Sequence, residues 1–173
     1  HCISVDPYYL KYKSEQVGYV PNVISSGRKI NENMALFISR KVKKNLDNMN
    51  SKKMSSSKYK LGIMGLSFKE NCGDIRNSQV FKIIQYFKDK NFILEVVDPQ
   101  VSTYELNEKF LKKIFVKKFT KKLDCLIITV KHKEFLKLDR DHFIKIMKKN
   151  SLIFDVKNIL SNKNIKNIKI LTL

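Results

Sequence analysis

Cysteine is scarce in this chain of 173 residues: there are three, Cys2, Cys72 and Cys125, with no Cys-x-x-Cys and no Cys/His ligand spacing. That pattern excludes a disulfide framework and a structural zinc site, and it fits a reducing cytoplasm. Long apolar runs are missing too. No stretch approaches the roughly 18 residues of a transmembrane helix, and no basic n-region leads into an apolar h-region. Neither a membrane nor a secretory class is expected. Arginine is the third shortage, present only at positions 28, 40, 76 and 140, although the formal net charge is +19. Base readers favour Arg, whose planar fork pairs bidentately with guanine, whereas lysines spread along a chain make a solvated basic surface. Nucleic acid is therefore not the expected partner. Among five glycines, Gly62 and Gly65 lack a third at the dinucleotide-binding spacing, so the G-x-G-x-x-G fingerprint is absent.

What is present is a two-part pattern, enough chain for one sizeable core and little more. The opening HCISVDPYYL is dense in reactive and aromatic side chains where a terminus is ordinarily polar, which suggests a piece of a longer protein. From Pro7 to about Gln16 a short helix is predicted, with Pro in its first turn and Gly18 past its end. Asn22 is placed to cap a long helix reaching Met49. Along it Val23, Gly27, Ile30, Met34, Phe37, Ile38, Val42, Leu46 and Met49 recur at three- and four-residue steps. That stripe suits a partner helix in another subunit or the core of its own protein.

Residues 50–58, NSKKMSSSK, lack periodicity and read as a linker between a first part, 1–49, and a second, 59–173. Beyond it, strands are predicted at 59–64, 93–98, 125–130 and 152–156, helices at 78–88, 103–113 and 139–149, and one more strand in the final IKILTL. Uninterrupted Val/Ile/Leu strands alternating with helices imply an α/β fold with a parallel sheet covered on both faces.

In such a sheet ligands bind beyond the carboxyl ends of the strands. The richest segment there is Gly65–Ser78, GLSFKENCGDIRNS, where Lys69 and Arg76 stand beside a helix N-terminus. It reads either as an anion site for phosphate or pyrophosphate or as a solvated charged loop. At the N-terminus, Cys2 has His1 beside it and Asp6 four residues on. A thiolate attacks carbonyl carbon and a carboxylate can activate water, but a small structural Cys near a turn is the other reading.

Three motifs, His1-Cys2-Ile3-Ser4-Val5-Asp6-Pro7-Tyr8-Tyr9-Leu10, Gly27-Arg28-Lys29-Ile30-Asn31 and Gly65 to Ser78, resemble in order and spacing the UDP-glucose/GDP-mannose dehydrogenase family. Asp98-Pro99 and Phe154-Asp155 also fit. The HCxxVDPYY form, unlike the SCFxKD form, is similar to the branch that oxidises UDP-N-acetylhexosamines for surface polysaccharides. The resemblance implies a nucleotide-sugar 6-dehydrogenase that turns C6 of a UDP-sugar from alcohol to carboxylate with NAD. Cys2 would be the nucleophile, through a thiohemiacetal and thioester, and Asp6 would position the hydrolytic water. Phe68 and Lys69 would contact substrate, and Lys157 or Asn158 stands where the family often has Arg near the nucleotide. Asp74 and Arg76 would reach the NAD site.

The same resemblance implies a Rossmann-like UDP-sugar-binding domain at 59–173. It would be preceded by the end of an all-α middle domain whose long helix, 22–49, forms a homodimer. The NAD-binding domain would precede His1, and the chain alone is not expected to catalyse oxidation, because nicotinamide must be held against C6. A non-catalytic nucleotide-binding or interaction module and a basic nucleic-acid-binding protein are the alternatives. Cys72 is not the expected nucleophile, Cys125 is read as core, His132 as a loop contact, His142 as helix surface, and Asp98-Pro99 as a strand-end turn.

Overall fold

The computed structural model describes residues 2–49, 58–120, 122–161 and 164–173. Helices α1 (Cys2–Gln16) and α2 (Asn22–Met49) come first. There follow β1 (Lys60–Met64), α3 (Val80–Asp89), β2 (Ile93–Val97), α4 (Lys109–Ile114) and β3 (Leu123–Ile128). Helices α5 (Lys133–Leu136) and α6 (Arg140–Ile146) lead into β4 (Met147–Asp155), and β5 (Ile168–Thr172) closes the chain. The expected α/β architecture is present. One sheet of five strands has the order β2-β1-β3-β4-β5, every pairing parallel.

Alternation along the strands explains why helices cover both faces. Leu61, Ile63, Cys125, Ile127, Leu152 and Phe154 point into one apolar cluster with α2, α3 and α4. Leu126, Ile128 and Ile153 join Phe135, Phe143, Leu160 and Ile165 in a second cluster on the other face. Each fully buried Leu, Ile or Phe contributes about 1.5–3 kcal/mol by leaving water. The register places Met64 opposite Val97 and Ile128, and Ile128 opposite Asp155. Strands β1 to β4 therefore end level at one edge. Between β1 and β3 the strand order reverses, which opens a crevice at that edge.

Several boundaries differ from expectation, each for a local reason. Helix α1 starts before Pro7, which sits inside it; the ring forfeits one i→i−4 hydrogen bond and the helix continues past it. The helix expected over 103–113 is a single 3₁₀ turn, Thr103–Glu105, followed by α4. Extended, fully buried Leu106 divides the two by dropping into the core. The helix expected over 139–149 ends at Ile146, because Met147 pairs with Leu123 and starts β4 early. Strand β3 begins two residues sooner than expected. Its buried Asp124 is tolerated because the carboxylate accepts the Lys60 N–H at 2.9 Å and Lys148 Nζ at 2.7 Å.

On α2 the predicted stripe divides. Ala35, Ile38, Val42 and Leu46 are buried, and Lys41 Nζ lies 5.5 Å from the centre of the Phe154 ring. The N-terminal half is open, with Val23 87%, Ile30 65% and Phe37 53% exposed. Of the predicted linker, only Lys58 is among the described residues. Among the described residues, no helix is long and apolar enough to cross a membrane.

Candidate functional site

The crevice at the strand ends is shaped by the turn after β1. Gly65 adopts φ +100°, and a Cβ there would lie 2.7 Å from Val130 Cβ. Only glycine allows that backbone and that approach. Thr129 Oγ1 donates to the carbonyls of Met64 and Gly65 at 2.9 and 2.7 Å, joining the β3 end to the turn. The chain then passes through Ser67, Phe68, Lys69 and Glu70 before reaching α3.

These residues form one wall of a cavity of about 750 Å³. Ser78, Gln79 and Val80, at the start of α3, form another, with Lys82 one turn further on. Lys157 enters from the segment after β4, and Tyr8 of α1 and Arg28 of α2 close the far side. The volume suits a drug-sized or nucleotide-sized ligand. Cations dominate the lining: Arg28, Lys69, Lys82 and Lys157, against Glu32 and Glu70. Together with the α3 N-terminus, whose first-turn amides carry partial positive charge, they favour a phosphate-bearing ligand.

Three of those cations already have partners, Lys82 Nζ donating to the Glu32 carbonyl at 3.4 Å. Lys157 Nζ lies 2.9 Å from Glu70 Oε1, and that hydrogen bond, more than any other effect, holds the Glu70 carboxyl below its ordinary value. Arg28 donates to Tyr8 Oη at 3.0 Å and lies over its ring at 4.5 Å. Among the described residues its Nε is buried without a hydrogen-bond partner.

The six other residues singled out in the sequence fall into three places. Phe68 and Lys69 line the cavity with Lys157. Asp74 and Arg76 do not; they pair with each other, Arg76 Nε reaching Asp74 Oδ2 at 3.0 Å, and this keeps the Asp74 carboxyl below its usual range. Cys2 and Asp6 stand one turn apart on α1 and line a neighbouring hollow of about 470 Å³ with Pro7, Leu10 and Ile24. Val5 and Tyr8, on another face of the same helix, look into the main cavity. His1 lies outside the described residues. Cys125 is fully buried, and burial followed by the adjacent Asp124 charge pushes its thiol up, as suits a core residue.

Residues 62–162, which carry most of the cavity wall, match the UDP binding domain of the UDP-glucose/GDP-mannose dehydrogenase family. The chain belongs to that family. It is 35% identical over 162 residues to protein CapL of Staphylococcus aureus, covering 94% of this chain and 37% of CapL. It is 31% identical to the UDP-N-acetyl-D-glucosamine 6-dehydrogenase of Pseudomonas aeruginosa, over 92% of this chain and 37% of that protein. A solved structure of the S. aureus UDP-N-acetyl-mannosamine dehydrogenase superposes with TM-score 0.69 at 26% identity, over 99% of this chain and 37% of that one. The chain thus spans little more than a third of the length of these relatives.

The end of β1 departs from the Rossmann dinucleotide arrangement in two places. Where that fold needs an open glycine turn, Gly65 is packed on Val130. Asp98, at the end of β2 where an acid would meet a ribose, is instead turned inward. Its Oδ2 accepts the N–H groups of Leu66 and Ser67 at 2.6 and 3.0 Å. Burial raises the Asp98 carboxyl, but hydrogen bonds from His132 and from the Leu66, Ser67 and Gln100 amides outweigh it and hold the group below its ordinary value.

Sequence reasoning passed over four contributors to this site, the first being Lys82 of α3, which no motif marks. Arg28 lies in the quoted Gly-Arg-Lys-Ile-Asn motif, which was its available signal. Asp98, a strand-end turn residue by sequence, is a buried carboxylate in the fold. His132 is a loop contact as expected but is completely buried; no local pattern marks a residue whose partners lie 34 and more positions away.

Proposed function

We propose that this chain supplies the nucleotide-diphosphate cradle and the thiol of an NAD-dependent UDP-N-acetylhexosamine 6-dehydrogenase serving surface-polysaccharide synthesis in the cytoplasm. The observation that carries the reading is the cavity, where Lys69, Lys82 and Lys157 converge with the α3 N-terminus within a UDP binding domain. The diphosphate lies among these cations, and Phe68 packs on the nucleoside. Helix α1 looks into the cavity with Val5 and Tyr8 and carries Cys2 and Asp6 on its adjacent face. The sugar extends along that helix toward the thiol. Cys2 holds C6 as a thiohemiacetal and then as a thioester, and Asp6 orients the water that releases the uronic acid.

The oxidising cofactor NAD is held mainly by other parts of the working enzyme. Asp74 and Arg76 form the edge that faces it. A homodimer forms through helix 22–49, whose exposed Val23, Ile30 and Phe37 provide the apolar surface.

A second reading, a nucleotide-binding module without catalysis, is favoured by one fact: Cys2 and Asp6 line a different hollow from the basic residues. Calorimetry of residues 1–173 with UDP tests the cradle, with a dissociation constant of roughly 1–100 µM expected; no heat of binding at millimolar UDP would refute it. The full-length enzyme carrying Cys2→Ser separates the two readings. Loss of NADH production from UDP-N-acetylhexosamines with UDP binding intact supports the thiol role, and unchanged activity supports the module. NAD⁺ reduction by 1–173 alone would contradict the division of labour.

A further inference from the structure

We propose that His132, held by Asp98, is a positioning residue that pins both flanks of the 68–70 segment and so sets where Phe68 and Lys69 meet a nucleoside diphosphate. The inference rests on the reading of the cavity as a nucleotide site.

The geometry assigns each ring nitrogen a separate task. The backbone N–H of Asn71 donates to His132 Nδ1 at 2.9 Å. Nδ1 is therefore the acceptor, and Nε2 carries the ring proton. Nε2 lies 3.2 Å from Asp98 Oδ2 and 3.2 Å from Ser67 Oγ. Since Ser67 Oγ donates its own proton to the Lys69 carbonyl at 3.0 Å, it can only accept from the imidazole.

One side chain thus fastens residue 67 through Nε2 and residue 71 through Nδ1. Between those anchors lie Phe68, Lys69 and Glu70, all on the cavity wall. A further tie supports the second anchor, where the Lys133 N–H donates to Asn71 Oδ1 at 2.9 Å. His132, Asp98 and Ser67 are all buried. The Asp98 carboxylate is engaged inside the fold: Oδ2 takes the Leu66 and Ser67 amides and the imidazole, and Oδ1 takes the Gln100 N–H at 2.8 Å. Neither residue lines the cavity, so their effect on a ligand passes through the loop.

His132→Gln and His132→Asn divide the two tasks. The Gln amide nitrogen falls near Nε2 and keeps the donor to Asp98, whereas the Asn oxygen falls near Nδ1 and keeps the acceptor for Asn71. UDP affinity by calorimetry, amide exchange at Ser67 and Asn71, and thermal unfolding are measured on 1–173, with Phe143→Leu as a core control. His132→Gln should bind UDP about tenfold more weakly and lose protection at Asn71. His132→Asn, which keeps the acceptor for Asn71 but gives up the Nε2 contacts, should recover the protection at Asn71 and only part of the affinity, and Phe143→Leu should unfold earlier with unchanged affinity.

If the buried variants do not fold, Asn71→Gly removes only the tie to Lys133, at a residue whose φ of 55° glycine accepts; it should weaken UDP several-fold. Unaltered affinity in His132→Gln or in Asn71→Gly overturns the proposal. If the unaltered chain takes up no UDP, the nucleotide reading fails and exchange alone decides: loss of Asn71 protection in His132→Gln upholds the brace, and retained protection overturns it.

Discussion

Replacing Gly65 with alanine asks the backbone for two things at once. The residue sits at φ +100°, and the added methyl would meet Val130 Cβ and Cγ2 at 2.7 Å and Val130 N at 3.0 Å. Left-handed backbone costs an L-residue about 1–2 kcal/mol, and overpacking against a neighbour that cannot turn away costs about 1–3 kcal/mol. The sum, about 2–5 kcal/mol, is a large fraction of the stability of a domain this size. At about 2–4 °C per kcal/mol it corresponds to a fall in Tm of about 10 °C.

Two other glycines separate the contributions. Gly18 has φ +81° and, among the described residues, nothing within 4 Å of an added methyl, so Gly18→Ala carries backbone strain alone. At Gly62 the methyl meets Leu123 Cδ1 at 2.5 Å and Phe119 Cε1 at 2.9 Å, which are the ends of side chains and can shift. Differential scanning calorimetry of the three variants should therefore rank Gly65→Ala as the most destabilised. A Gly65→Ala protein that unfolds with the unaltered chain, or above Gly62→Ala, would refute the argument. Because Val130 also lines the cavity, UDP binding should weaken in the same variant.

Three further outcomes are expected. Lys157→Met should reduce UDP affinity about tenfold and flatten its salt dependence, whereas Arg76→Met, removing a cation outside the cavity, should leave it unchanged; calorimetry at two ionic strengths checks both. The Asp98 carboxyl is depressed below 3.8 in the fold, so its contribution to stability is present above about pH 4 and lost as pH falls through the lower folded value. The stability gap between the unaltered chain and Asp98→Asn, from urea unfolding, should stay constant from pH 8 to about 5 and close in stronger acid; a gap widening in acid would contradict the sign. Ile30→Asp with Phe37→Asp should shift sedimentation from dimer to monomer without lowering Tm, since both side chains are exposed.

The strand pattern was legible because parallel strands buried on both faces need continuous apolar runs, and CLIIT and LIF provide them. The level strand ends then led directly to the Gly65–Ser78 loop, and Phe68, Lys69 and Lys157 do converge on one cavity. Arg76 was legible as a cation but not as a committed one: Asp74, two residues before it, captures the guanidinium. The sequence shows the long-helix stripe from Val23 to Met49 as continuous. Nothing in a 3.6-residue period says where the covering surface stops, and here it stops near Ala35.

By itself the sequence determined the order of elements, the parallel α/β class, the position of the anion-suited loop and the family likeness. Each of these depends on residues near one another in the chain, where periodicity and motif spacing act. Tertiary structure alone decided that Asp98 and His132 close on the loop, that Arg28 and Tyr8 shut the far side of the cavity, and that Cys2 opens on a neighbouring hollow. Those outcomes depend on which strand ends and helix faces meet in space, and contacts between residues as distant as Ser67 and His132 exist only once the sheet has brought β1 beside β3.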